Sequence, residues 1–348
     1  MAWKREDNID LKKYSTMRIG GVGKCLITTN KPEKDLLNIF SDIIQPGDSY
    51  HVVGEGSNSI FGGDFPNTYF IALENKDITI ISDSETETLL RVGGGLCWDQ
   101  LVAYSIEHNL QGIEMLSAIP GTVAAAPIQN IGAYGGEFSD VCVSVHVFDT
   151  VEKKYSSIPS EKCDFGYRSS MFKKEAGRHV IYAVDIGLSK TNEVKIPEYP
   201  GVHAALFTTG IEHPTLADIR TTIIDIRWSK LPRPEILANC GSFFKNTYTT
   251  REQYDSILKS YPDCIAFPQE DGGIKIPTGW LIDTLGLKQH RVGDIGLYEK
   301  HALIIVNHGK GTFIQLQQFI TDIQKKVFDA FGIQITPEVN IIMPYENT

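Results

Sequence analysis

The chain has 348 residues, 42% of them apolar and 22% charged, which excludes disordered and fibrous classes and leaves room for two or three domains with a large core. Lys+Arg 33 against Asp+Glu 43 gives a net charge of -10, so bulk electrostatics argue against nucleic-acid or anionic-membrane partners. The six cysteines form no C-x-x-C pair and read as free thiols of a reducing cytosol. Met1-Ala2-Trp3-Lys4-Arg5-Glu6-Asp7 is followed by no signal-like apolar stretch. The smoothest apolar run, Met115 to Ala126, contains Pro120 and Gly121 and falls short of the roughly 20 residues of a membrane span. A soluble, cytoplasmic protein is expected.

In chain order, strands are expected at Tyr50 to Val53, Ile78 to Ile81 and Thr88 to Val92. Trp98, Leu101, Val102, Ile106 and Leu110 trace one face of a helix that Gly112 would terminate. Val141, Val143, Val145 and Val147 alternate with Cys142, Ser144, His146 and Phe148 as a strand, and Val180 to Ile186 is another. A boundary falls near Lys190 to Pro200, where Ser189-Lys190-Thr191-Asn192-Glu193 is polar and Pro197 and Pro200 interrupt regular structure. Three helices follow. One runs from Thr215 to Trp228, and two open with the capping-box pairs Thr250/Gln253 and Thr312/Gln315. In the last, Leu316, Phe319, Ile320, Ile323, Val327 and Phe331 form the buried stripe and Gly332 follows it. The pattern is α+β throughout, without repeats.

Two glycine clusters follow strands: Gly54-Glu55-Gly56-Ser57-Asn58 and Gly93-Gly94-Gly95. Either is a phosphate loop or a tight turn, because glycine lets amide groups approach a pyrophosphate closely. Neither is G-x-G-x-x-G, since Ser59 and Trp98 stand where glycine is needed, so a Rossmann domain is disfavoured. From Ile119 to Gly136 small residues run long enough for a large ligand to lie against the backbone, or for a closely packed buried loop.

Ser242, in Gly241-Ser242-Phe243-Phe244-Lys245-Asn246, Arg168, in Phe165-Gly166-Tyr167-Arg168, and Glu338, in Pro337-Glu338-Val339, would together suit proton delivery to a substrate whose carboxylate is clamped. Taken singly they read as a turn hydroxyl, a salt-bridging arginine and an exposed acid. No metal pattern and no Gly-x-Ser-x-Gly elbow is found.

With Thr16-Met17-Arg18-Ile19-Gly20-Gly21, Gly54 to Asn58, Ile119-Pro120-Gly121 through Gln129-Asn130-Ile131-Gly132-Ala133-Tyr134-Gly135 and Gly279-Trp280-Leu281-Ile282, these motifs occur in the order of one family. The chain resembles the UDP-N-acetylenolpyruvoylglucosamine reductases, also called UDP-N-acetylmuramate dehydrogenases. The resemblance implies a vanillyl-alcohol-oxidase-type FAD-binding domain of two α+β subdomains over residues 1–190 and an α+β substrate-binding domain over 191–348.

It further implies noncovalent FAD held by Gly54, Glu55, Gly56, Ser57, Asn58, Pro120, Gly121, Thr122, Asn130, Gly132, Ala133 and Tyr134. NADPH would reduce the flavin, and the hydride would pass to C3 of UDP-N-acetylglucosamine enolpyruvate. Ser242 would protonate C2, Arg168 would clamp the carboxylate, and Glu338 would hydrogen-bond the enolic oxygen or orient the acid. Tyr199, Lys230 and Asn246 would contact the sugar nucleotide. Prolines flank Tyr199, departing from the usual Tyr-Gly, and Lys300-His301 stands where glutamine is usual. A monomer acting in peptidoglycan precursor synthesis is expected. Two rivals are a flavin oxidase of the same superfamily and a noncatalytic flavin or sugar-nucleotide binding module.

Overall fold

The structure, a computed structural model, describes residues 3–190, 193–269 and 271–344. The polar 189–193 boundary therefore lies partly outside the described residues. Two compact units emerge. The first comprises Met1–Ile9, Gly23–Glu55 and Phe65–Ser229; the second comprises Asp10–Val22, Gly56–Asp64 and Lys230–Thr348. A single cut near residue 190 does not reproduce them, because the chain crosses between the units several times and residues 193–229 pack with the first.

The first unit holds two sheets. One, four-stranded, runs in the order Trp3–Asp10, Val22–Thr29, Phe65–Leu73, Ser49–Val53, and Phe65–Leu73 pairs in parallel with the strands on both sides. Cys25, Ile27, Leu36, Phe40 and Ile71 form its core. The other is five-stranded and antiparallel, in the order Lys154–Pro159, Cys142–Asp149, His179–Ser189, Glu87–Gly93, Ile78–Asp83. Its core gathers Leu90, Trp98, Leu101, Val145, Val147 and Ile186.

Two local expectations need correction here. Strand Cys142–Asp149 has register shifts at Cys142/Ser144 and His146/Val147, so Val143 is exposed while His146 and Phe148 are buried; bulges overrule the simple alternation. Helix Trp98–Glu107 is capped at His108, and Asn109 with φ 54° turns the chain back, not Gly112. Asparagine tolerates the left-handed region well enough to do this.

The second unit is built on an antiparallel sheet in the order Ala238–Ser242, His301–Asn307, Ile295–Tyr298, Arg291–Val292. Helix Phe313–Phe331 covers its core with the expected stripe. Thr312 and Gln315 complete a reciprocal capping box, and Gly332 closes the helix at φ 66°. At Thr250 only half of a box forms: its hydroxyl accepts from the Gln253 amide, while the Gln253 side chain reaches Gly332 and Thr249. Strand Ser59–Phe61 pairs in parallel with Asn340–Ile342, tying residues from opposite ends of the chain.

Candidate active site

The two glycine clusters part company. All three amides of Gly93, Gly94 and Gly95 are spent, on the carbonyls of Asp77 (2.8 Å), Tyr182 (2.8 Å) and Asn75 (3.0 Å). A Cβ on Gly93 would lie 2.5 Å from the Asn75 carbonyl oxygen. That cluster is a packed turn, not a phosphate loop. In the Gly54–Asn58 loop, the amides of Glu55 and Gly56 meet no protein acceptor among the described residues. Open amides in a glycine loop are what an anion needs.

The Glu55 carboxylate turns inward and accepts from the Gly121 amide at 2.8 Å, so the loop has only backbone to offer at this residue. A Cβ on Gly54 would fall 2.9 Å from Thr122 Oγ1, which brings the loop against Pro120-Gly121-Thr122. Burial and then the Glu55 charge push the neighbouring Cys97 thiol up.

Further along, Asn130, Tyr134 and Arg168 all hold left-handed φ, at 44°, 52° and 52°. Such conformations cost roughly 1–2 kcal/mol each and persist only where neighbours enforce them. Asn130 spends both ends of its amide inside the turn, Nδ2 donating to Glu137 (2.6 Å) and Oδ1 accepting from Ser139 (2.9 Å). Gly132 and Ala133 pair with Glu137 and Gly136 in a short hairpin. Arg168 stands in a turn closed by reciprocal Gly166–Ser169 bonds. Its guanidinium donates to the Gly132 carbonyl at 2.8 Å, bringing it to the small-residue segment. An open Glu55 amide, in a loop packed against Thr122, is what the phosphate of a bound cofactor needs.

In the second unit, a register shift between Asn239 and Ser242, with Gly241 at φ 69°, makes a bulge that re-aims Ser242. Its exposed hydroxyl makes no hydrogen bond among the described residues, so it is not spent on its own turn. Phe243 and Phe244, buried with ring centroids 5.3 Å apart, anchor the strand. Beside it runs the Glu338 stretch: Glu338 N–H donates to the Phe243 carbonyl (2.8 Å) and Lys245 N–H to that of Thr336 (3.0 Å). The fold thus sets the backbone of Glu338 against Phe243, the residue after Ser242. Asn246 Oδ1 accepts from the Thr278 amide (3.3 Å) at the start of helix Thr278–Thr284. Lys230 is exposed.

The family model for the UDP-N-acetylenolpyruvoylglucosamine reductase C-terminal domain matches residues 233–342, and one for an FAD-binding domain matches residues 27–152. A UDP-N-acetylenolpyruvoylglucosamine reductase of Xanthomonas campestris pv. campestris (strain B100) is 36% identical over 343 residues, covering 98% of this chain and 97% of the relative. The chain belongs to this reductase family. That of Pseudomonas aeruginosa is also 36% identical, over 98% of this chain and all of the relative. The fold is similar to that of the Thermus caldophilus UDP-N-acetylenolpyruvylglucosamine reductase, at TM-score 0.66 and 23% identity over 97% and 98% of the two chains. As a member of the reductase family with an FAD-binding domain, the chain is a flavin-binding oxidoreductase of peptidoglycan precursor synthesis.

Against the motifs of the reductase family, helix Pro200–Thr209 went unforeseen. Pro200 occupies the first helical position, where a missing N–H costs nothing, and Tyr199 is the N-cap, its ring 5.2 Å edge-on from Tyr134. The prolines thus start a helix where the sequence suggested an interruption. Arg227, on helix Leu216–Lys230, was also missed. Its charge interacts favourably with Tyr134, its Nε is buried without a partner among the described residues, and burial lowers its pKa, while burial raises that of Tyr134. The signal for it was faint: Arg220 and Arg227 are seven residues apart, two turns on one helix face. His301 is pushed down by burial and then by Lys230 and Lys288.

Proposed function

We propose that the chain is the NADPH-dependent reductase that converts UDP-N-acetylglucosamine enolpyruvate to UDP-N-acetylmuramate, working in the cytoplasm as a monomer with noncovalent FAD. The observation that carries this reading is the hydroxyl of Ser242, re-aimed by the Gly241 bulge, without a hydrogen bond among the described residues, on a strand whose next residue, Phe243, accepts from the Glu338 amide.

When bound, FAD would supply the hydride chemistry between NADPH and C3 of the enolpyruvyl ether. Arg168 holds the substrate carboxylate as charge flows onto it, since a guanidinium stays cationic and binds two oxygens at once. Ser242 gives its proton to C2, which with the hydride at C3 saturates the double bond. Serine is a weak acid, so Lys230 and Lys245 assist by positive potential, and Glu338 hydrogen-bonds the enolic oxygen or orients the acid. Glu55, Gly56, Ser57 and Asn58 offer backbone to the pyrophosphate, with Pro120, Gly121 and Thr122 packed behind the loop. Tyr199, Lys230 and Asn246 hold the sugar nucleotide.

The test is to purify the protein, look for a released yellow flavin and mix the enzyme with NADPH and the enolpyruvyl substrate. Substrate-dependent NADPH consumption is expected. A flavin that ignores NADPH but is rapidly reoxidised by oxygen after reduction by an alcohol or sugar makes it an oxidase instead. Ligand binding without turnover makes it a binding module.

A further inference from the structure

We propose that Asp99 and Arg220 are positioning residues for the flavin, bracing the segment 118–134 from a helix that lies outside the matched FAD-binding region. The inference rests on the reading of that segment as part of the flavin site.

Residues 116 to 123 run along the N-terminal turn of helix Trp98–Glu107 and are pinned there one bond at a time. Trp98 Nε1 donates to the Leu116 carbonyl (3.1 Å), the Trp98 amide to that of Gly121 (2.8 Å), and the Val123 amide to that of Leu96 (2.8 Å). Midway stands Ala118, held at φ 56°, a conformation alanine takes only under constraint. Its amide donates to Asp99 Oδ1 at 2.6 Å. The same carboxylate receives a bidentate Arg220 guanidinium, at 2.6 and 2.8 Å.

Arg220 lies on helix Leu216–Lys230. That helix packs through Ile219 and Ile223 against Val202 and Leu206, with Met115 and Tyr134 alongside. One rigid helix therefore reaches both ends of the segment, at Ala118 through Asp99 and at Tyr134 through the packing of Ile219 and Ile223. Burial alone would raise the Asp99 pKa, but Arg220 and the Ala118 amide outweigh it and hold it below the usual carboxylate range. A charged, doubly held acceptor fixes the strained amide more firmly than a neutral one.

The measurement is FAD affinity of the apoprotein by flavin-fluorescence titration, with visible-region circular dichroism of the loaded protein and the melting temperature of the apoprotein. Arg220→Gln is expected to weaken FAD binding about tenfold and to change the flavin dichroism, the worth of about one charge-assisted hydrogen bond. Arg220→Lys, which keeps the charge and loses the fork, is expected to fall between, at about threefold; it is the working variant if Arg220→Gln does not fold. Arg178→Gln removes an ion pair of the same unit, to Asp149 and Glu175, and serves as the stability control. It is expected to lower the melting temperature and leave FAD affinity alone. Wild-type affinity in both Arg220 variants overturns the brace, as does an equal loss of affinity in Arg178→Gln. Failure of the wild-type protein to bind FAD removes the flavin reading itself.

Discussion

The Gly54–Asn58 and Gly93–Gly95 turns look alike in sequence, each a glycine cluster following a strand, and they are used in opposite ways. The second is closed: three amides are bonded to protein carbonyls, and backbone fills the space where side chains would go. In the first, the amides of Glu55 and Gly56 meet no acceptor among the described residues. The same division separates Asn130, whose amide is consumed by Glu137 and Ser139, from Ser242, whose hydroxyl makes no hydrogen bond among the described residues. Groups the protein has already satisfied build the scaffold; groups it leaves unsatisfied are where a ligand is expected.

The largest expected effect breaks the open side. Ser242→Ala should slow substrate reduction by roughly 10²–10⁴ while flavin reduction by NADPH is kept, since a positioned general acid is worth that much. Stopped-flow traces of the two half-reactions check it, and equal loss in both would refute the assignment. On the closed side, Gly93→Ala should cost about 3 kcal/mol of stability, because the Asn75 backbone must move to admit the methyl group. Urea denaturation measures it; a neutral result would mean the turn is looser than its packing implies.

A smaller effect concerns a satisfied carboxylate on the strand beside the closed loop. Asp185 takes a bidentate Arg91 (2.8 and 2.9 Å) and His146 (2.8 Å), which together outweigh burial and depress its pKa. A depressed folded-state value means that its contribution is present above the unfolded pKa of about 4 and is lost as pH falls further. Arg91 is partly exposed, so Asp185→Asn should cost only about 2 kcal/mol at pH 7. The gap from wild type should narrow at pH 3 in parallel urea titrations; a gap unchanged with pH would rule out this linkage.

Much of this was legible in the chain itself. Helix Phe313–Phe331 follows its apolar stripe and both of its caps, because propensity, period and end signals agree there. Strand Cys142–Asp149 was recognisable, but its facing was not, since bulges depend on what the neighbouring strands impose. The two glycine clusters were indistinguishable for a related reason: whether an amide is spent depends on carbonyls brought from Asp77, Tyr182 and Asn75 by the fold. Arg227 and the Asp99–Arg220 pair left no motif, because their partners are 93 to 121 residues away and helical position alone does not identify them. Pro200 misled because a proline breaks a helix in its interior and opens one at its start.

The pairing of Ser59–Phe61 with Asn340–Ile342 has a consequence for how the chain is made. Ile60 and Phe61 are fully covered in the finished protein, yet the strand they pair with, Asn340–Ile342, is synthesised far later in the chain. At ordinary translation speeds the nascent polypeptide carries that greasy ribbon without its parallel mate for on the order of tens of seconds. Chaperone capture in that interval, and misassembly when strand Asn340–Ile342 is removed, are the hazards this topology accepts.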